Sequence, residues 1–519
     1  DDHIVKTQTM CGSMYIKAIE GEARGWESQL KYAQNLVDEW IAMQRVWMYL
    51  EPIFGSEDIM RQLPTEARRF NDVDKLWRST MKATEEDPVF ISQAEPSKQL
   101  VKKMQDANEK LDKIQKGLSD YLEMKRLYFP RFFFLADEQM LEILSQSKEP
   151  RAVQPHLGKC FEGLNTIKFE KDLKITQMIS PEGERVDLTT PIDPESGPNK
   201  GNVEKWLLEL EGLQWVSVRR QVELALQDYP KQKRIDWCIK WPAQAILAVS
   251  QIFWTQKTEE AIDAGGHQGL DKYVLDLNQG LTDIVMLVRG QLSKLQRKTL
   301  SALVVMDIHS RDTNVTMVTG LIEKCSDFQW QSQMRYYWGP AWKDGQAVKK
   351  GEGTVVARIV NARCLYGYEY LGNSMRLVVT PLTDRCYRTM ISAIDLLYGG
   401  APEGPAGTGK TETVKDLSKA ISIQCVVFNC SDQLDYKAMA KFFKGLAGCG
   451  SWCCFDEFNR ISVEVLSVVA QQILTINKGK AAGVDKFTFE GTFMKLNTNA
   501  NPFITMNPGY AGRAELPDN

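Results

Sequence analysis

The stretch GGAPEGPAGTGKTET, residues 399–413, limits what this 519-residue chain can fold into more than any other. Gly404, Pro405, Ala406, Gly407, Thr408, Gly409, Lys410 and Thr411 satisfy the G-x-x-x-x-G-K-[ST] pattern. Average composition produces such a match by chance in about one chain in fifty of this length. The pattern requires a loop whose glycines let backbone N–H groups turn toward phosphate oxygens, followed by a helix that starts near Lys410 and adds its positive end. Lys410 is then placed to reach β- and γ-phosphates, and the hydroxyl of Thr411 suits a magnesium ion. Glu412, in the first turn of that helix, is expected with residues 404–411 among the nucleotide-binding residues.

Phosphate binding alone does not imply hydrolysis. SWCCFDEFNR supplies the second half: an apolar strand from Trp452 to Phe455 ends in Asp456 and Glu457, with Asp456 46 residues after Lys410. Asp456 suits a magnesium ligand acting through the ion's water shell, and Glu457 a base for an attacking water. A third strand, NPFITMNPG, is expected to end in Asn507, whose amide can hold that water and sense a γ-phosphate. QCVVFNCSD reads as another buried strand. Together these predict a parallel sheet with its C-terminal ends along one active edge. DKFTFEGTFMKLN reads as a small hairpin inserted before the Asn507 strand.

The preceding two thirds are different material, since twelve of the thirteen tryptophans lie before residue 366. They read mostly as helices. Leu100, Met104, Ala107, Leu111, Ile114, Leu118 and Tyr121 alternate spacings of four and three. The stripe spans about three heptads, the lower limit for a coiled coil, and a bundle helix is the simpler expectation. Residues 26–54 share its amphipathic pattern and are expected to stop at Pro52. Further helical patterns cover residues 202–229 and 269–312. One hairpin is expected around the turn Pro181–Glu184, with a surface loop at 193–202. His309 reads as a structural residue.

Net charge is −3, from 64 basic and 67 acidic residues, which favours neither nucleic acid nor an anionic membrane as partner. Runs such as SALVVM fall far short of the roughly 20 apolar residues that span a bilayer. The eleven cysteines show no disulfide frame. Cys449, Cys453 and Cys454 come nearest to metal spacing, but reduced core thiols are the expected reading. The first residues, DDHIVKTQ, lack the pattern of a signal peptide. A start without Met and an end at ELPDN suggest a piece of something longer.

P-loop, acidic pair, inserted hairpin and polar strand tip, in that order, resemble an AAA+ ATPase. YGYEYLGNSMRLVVTPLTDRCYRTM and VVFNCSDQLDYKAMAKFFKGLAGCGSWCCFDEFNRI resemble the first AAA+ module of a dynein heavy chain. FFFLADEQMLEILS, PHLGKCFEGLNTIKF, QIFWTQKTEEAI and DFQWQSQMRYYW resemble the dynein linker. KTETVKDLSKAISIQCVVFNCSDQLDY is more similar to axonemal members, of a ciliary inner-arm type. The expected fold is an elongated, mainly helical linker over 1–365 with a small β-hairpin. An α/β P-loop AAA+ module with a parallel sheet follows over 366–519, cut before its small lid subdomain.

The resemblance implies a microtubule motor driven by ATP with Mg2+, in which hydrolysis swings the linker and produces minus-end-directed force. It implies adenine contacts from Val379, Thr380, Pro381 and Leu382. The implied partners are microtubules through a stalk, further AAA+ modules of the same chain, and intermediate or light chains or axonemal docking partners through a tail. The implied location is the cytoplasm and cytoskeleton, in the axoneme of cilia or flagella. Without a lid and a neighbour's finger arginine, the 519 residues alone are expected to hydrolyse ATP poorly. Two other classes fit the motifs: a scaffold gated by bound nucleotide, against which Glu457 argues, and a non-motor remodelling ATPase.

Overall fold

Amphipathic helices bury one face against one another, and the N-terminal part of the chain does this in a bundle. In this computed structural model the described residues are 1–146, 148–340, 342–343, 346–347, 353–431 and 434–508. They fall into two compact units, Asp1–Lys125 with Asp137–Glu149, and Arg126–Ala136 with Pro150–Asn519. This division follows packing and differs from the compositional change near residue 365.

In the first unit the helix Glu20–Phe54 presents Leu36, Met43 and Leu50 to the interior. Pro64–Glu86 answers with Phe70, Val73 and Trp77, and the rings of Phe54 and Phe70 stack at 5.1 Å. All seven residues of the heptad stripe are buried along the helix Leu100–Tyr128. Val101 N–H donates to the Tyr32 hydroxyl at 3.2 Å, and Asn108 Nδ2 donates to Glu39 Oε2 at 2.6 Å. The stripe therefore packs inside a bundle. The stop expected at Pro52 is too early. Pro52 lies in the last turn and the helix ends at Phe54, before Gly55.

The second unit contains the expected hairpin, Ile175–Ile179 and Arg185–Ile192, plus an unforeseen third strand, Thr166–Phe169. The helices Val203–Asp228, Ala243–Arg289 and Lys294–Thr319 follow. The second of these is broken at Gly265–Gly266, and the third starts from a Ser293/Gln296 capping box. Arg335–Pro340, Gly353–Ile359 and Ala362–Leu365 then form an antiparallel sheet that the sequence reading lacked. Among the described residues no helix is long and apolar enough to cross a membrane.

The last third builds a parallel sheet in the order Asn501–Ile504, Trp452–Asp456, Cys425–Asn429. Bridges pairing Gly400 with Phe503 and Glu403 with Met506 lay the chain entering the P-loop beside the Asn501–Ile504 strand. The helices Tyr436–Cys449 and Val463–Ala481 cover the sheet through Phe443, Leu446, Leu466 and Val469 around Phe455. The hairpin Lys486–Phe489 and Thr492–Lys495 adds Phe487, Phe489 and Met494 to this core. Each such side chain contributes about 1.5–3 kcal/mol by leaving water.

Two buried ion pairs hold this framework. Arg131, 1% exposed, donates from Nε to Glu211 Oε1 at 2.6 Å and from Nη1 and Nη2 to the two oxygens of Glu369 at 2.6 and 2.8 Å. It also donates to the Cys160 carbonyl and to Gln424, the residue before the Cys425–Asn429 strand. Burial works to raise the carboxyl of Glu369, but Arg131 outweighs it and holds that group below its ordinary value. For Glu211 burial wins and the net shift is upward.

The second pair is Arg376 with Asp416, bidentate at 3.0 and 2.9 Å. Asp416 lies on the P-loop helix, Lys410–Ala420, and also accepts Leu377 N–H at 2.9 Å and the Tyr387 hydroxyl at 2.6 Å. Burial works to raise the Asp416 carboxyl, and Arg376 with the other donors brings it below its ordinary 3.8. Leu377 and Tyr387 flank residues 379–382, so one carboxylate fixes both sides of that segment to the P-loop helix.

Replacing Arg131 with Met leaves two buried carboxylates without a cation, and is expected to cost about 3–5 kcal/mol, read as a lower urea midpoint of unfolding. Asp416→Asn should destabilise the chain at neutral pH. Because the folded carboxyl is depressed, its contribution is full above about 3.8 and is lost as pH falls through the lower folded value. The stability gap between wild type and Asp416→Asn should therefore narrow on acidification below about pH 3.8.

Candidate active site

The site forms where the P-loop meets the C-terminal ends of the parallel strands. Gly407 and Gly409 have φ of 76° and 80°, left-handed values that a side chain disfavours. A Cβ at either would meet nothing within 4 Å, so conformation rather than space calls for glycine. Gly409 is the N-cap of the P-loop helix and supplies no side-chain cap. The N–H groups of Lys410, Thr411 and Glu412 are thus left pointing out of the first turn without intrahelical acceptors. Residues 405–409 are exposed, and Lys410 lies back over the loop, its Nζ 3.0 Å from Gly404 O and 2.7 Å from Pro405 O.

Thr411 and Asp456, both assigned to a magnesium ion from the sequence, lie together: Thr411 Oγ1 donates to Asp456 Oδ1 at 2.7 Å. Two hard oxygens in contact at a strand tip fit a magnesium ion, which takes oxygen ligands and keeps several waters. The strand is one residue longer than expected and includes Asp456. Glu457 follows with φ 54° and ψ 46°, a left-handed conformation that costs a non-glycine residue about 1–3 kcal/mol and persists only when its surroundings enforce it.

Glu457 Oε1 accepts from Asn507 Nδ2 at 3.2 Å, and Oε2 pairs with Arg460 Nε at 2.6 Å. Asn507 is brought to the site but does not end the strand. The strand stops at Ile504, and Thr505, Met506 and Asn507 continue beyond it, with Asn459 Nδ2 donating to Asn507 O at 3.2 Å.

Residues 379–382 are only partly a loop. Thr380 is the N-cap of the helix Pro381–Asp395, with a capping box to Thr383, and Pro381 and Leu382 form its first turn. Leu382 is exposed. The cysteines that resembled metal spacing are buried thiols. Cys453 and Cys454, adjacent on one strand, face opposite sides of the sheet, and Cys449 donates to Ser451. Burial pushes Cys449 up to about 11 and Cys454 to about 12. His309, outside the site, is pushed down to about 4 by burial, with Arg376 adding to the effect.

Three contributors escaped the sequence reading. Arg460 lies three residues after Glu457, Asp416 is on the P-loop helix with its carboxylate on Arg376, and Thr505 lies two residues before Asn507. Thr505 carried one usable signal: alternate positions of an extended segment share a face, so it faces the way Asn507 does.

Known families match both parts of the chain. A model described as "Dynein heavy chain, N-terminal region 2" matches residues 1–225, and one described as "Hydrolytic ATP binding site of dynein motor region" matches residues 366–519. Dynein axonemal heavy chain 12 of Rattus norvegicus is 54% identical over all 519 residues, and dynein axonemal heavy chain 3 of Homo sapiens 52% over 520. Dynein axonemal heavy chain 1 of Mus musculus is 52% identical over 519. The chain spans 16% of the length of the first of these relatives and 12% of each of the other two. With dynein-specific models matching at both ends and identity above one half along the whole chain, this chain belongs to the axonemal dynein heavy chains.

Proposed function

We propose that this chain is the linker and first AAA+ module of an ATP-driven microtubule motor, in which hydrolysis at this site swings the linker and produces minus-end-directed force in the axoneme of cilia or flagella. The observation that carries the reading is the contact of Thr411 with Asp456 at 2.7 Å, next to a glutamate held by Asn507. A site that only binds nucleotide has no need of Glu457 beside Asp456.

ATP phosphates would lie over residues 404–411, with Lys410 exchanging the carbonyls of Gly404 and Pro405 for β- and γ-phosphate oxygens. Val379, Thr380, Pro381 and Leu382 would contact adenine. Thr411 and Asp456 would hold Mg2+, which when bound neutralises charge on the phosphate oxygens. Glu457 would accept a proton from the attacking water, and the Asn507 amide would orient that water. Glu457 Oε1 accepts from Asn507 and Oε2 pairs with Arg460, and because each carboxylate oxygen can accept more than one hydrogen bond, a water can reach Glu457 with both contacts in place. The partners are microtubules, further AAA+ modules of the heavy chain, and dynein intermediate or light chains or axonemal docking proteins. The 519 residues by themselves would turn over ATP slowly, lacking a finger arginine from a neighbouring module.

In the intact heavy chain, Glu457→Gln should lower ATP turnover by about 10²- to 10⁴-fold while ATP still binds, and should stop microtubule gliding. A variant that glides like wild type would mean that the pocket regulates and that force comes from hydrolysis elsewhere.

A further inference from the structure

The acidic pair rests on a residue to which its motif, NPFITMNPG, gives no role. Thr505 is 1% exposed and lies just past the Asn501–Ile504 strand. Its hydroxyl has two partners in the site. It donates to Asp456 Oδ1, the oxygen that also accepts Thr411 Oγ1, and it accepts the N–H of Glu457 at 3.1 Å.

Its backbone is committed to the same two residues' neighbours. Thr505 N–H donates to Phe455 O at 2.9 Å, and Phe458 N–H donates to Thr505 O at 3.0 Å. Four bonds from one residue thus span positions 455 to 458, across the turn where Glu457 takes its left-handed conformation. Backbone in that region is held by its surroundings, and the Thr505 hydroxyl is the side-chain group that meets the Glu457 N–H.

We propose that Thr505 is a positioning residue for hydrolysis: one hydroxyl orients the metal carboxylate Asp456 and holds the backbone turn that aims Glu457. The inference rests on the hydrolytic reading of the site given above. A serine preserves the donor and the acceptor. A valine keeps the shape, leaves the Glu457 N–H without its acceptor, and leaves Asp456 Oδ1 held by Thr411 without its second donor. Both hydrogen-bond partners of the hydroxyl belong to the acidic pair, and it meets the P-loop's Thr411 only through Asp456 Oδ1, so its loss should affect the chemical step and the metal requirement more than nucleotide affinity.

The test compares intact heavy chains carrying wild-type sequence, Glu457→Gln, Thr505→Val and Thr505→Ser, measuring kcat, KM for ATP and the Mg2+ concentration for half-maximal turnover. Thr505→Val should lower kcat by about 10- to 100-fold, the scale expected when a catalytic group is misplaced by about an ångström. It should leave KM within about threefold and raise the Mg2+ requirement, and Thr505→Ser should recover most of kcat. If Thr505→Val does not fold, Thr505→Ala removes the same hydroxyl without crowding and carries the comparison. Wild-type kcat in Thr505→Val, or a Thr505→Ser variant as impaired as the valine, overturns the proposal while Glu457→Gln remains inactive. Wild-type turnover by Glu457→Gln instead overturns the hydrolytic reading, and this inference with it.

Discussion

A single buried guanidinium organises the second unit. Arg131 comes from a short 3-10 segment, Pro130–Phe134, yet its side-chain acceptors come from three other parts of the chain: Glu211 on a long helix, Glu369 near the start of the P-loop module, and Gln424 at the base of the sheet. One cation facing two carboxylates would be unfavourable in a dry interior without further donors. Trp215 Nε1 supplies one to Glu369 at 3.1 Å, and the Phe161 ring faces the guanidinium at 4.6 Å. Arginine suits the position because its planar fork can serve several acceptors at once while staying charged. Lysine would bring a point charge and leave acceptors unmatched.

The candidate active site has the opposite character. Its P-loop is exposed, its lysine rests on carbonyls of its own loop, and the Glu457 carboxylate is held by Asn507 and a half-exposed arginine. Exposed ion pairs contribute little, typically under about 1 kcal/mol, so the Arg460 contact is inexpensive to exchange. Rigidity is concentrated beneath the site, in the bidentate Arg376–Asp416 pair and in Thr505. Groups that must rearrange around a substrate stay weakly held, and the groups that aim them are buried and saturated with hydrogen bonds.

Legibility in the sequence followed the range of the interaction. The P-loop, the acidic pair and the inserted hairpin are set by neighbours in the chain, so spacing alone places them, and the stripe from Leu100 to Tyr121 is equally local. Arg131 was invisible because its partners lie 80, 238 and 293 residues away, and no local pattern marks an arginine for burial. Thr505 was hidden for another reason. A threonine near a strand reads as ordinary β-branched filler, and only the register against Phe455 reveals what its hydroxyl meets. Pro52 misled because a proline in the last turn can be accommodated until Gly55 ends the helix.

The two kinds of anchor act on opposite ends of the same short strands. Gln424 and Ser451 immediately precede the strands that end in Asn429 and Asp456, five residues later. Five extended residues span about 17 Å, and a parallel pair tied by regular hydrogen bonds does not stretch over that length. The Arg131 cluster at one end and the Thr411–Asp456–Thr505 contacts at the other are therefore held at a nearly fixed separation. A displacement of the acidic strand relative to the P-loop helix cannot be absorbed inside the strand. It must be taken up at the base, where Gln424 meets Arg131, or at the tip, where Asp456 meets Thr411. The buried end resists more strongly, because it would have to break bonds of a fully buried charge, and so movement falls to the half-buried contact of Asp456 with Thr411.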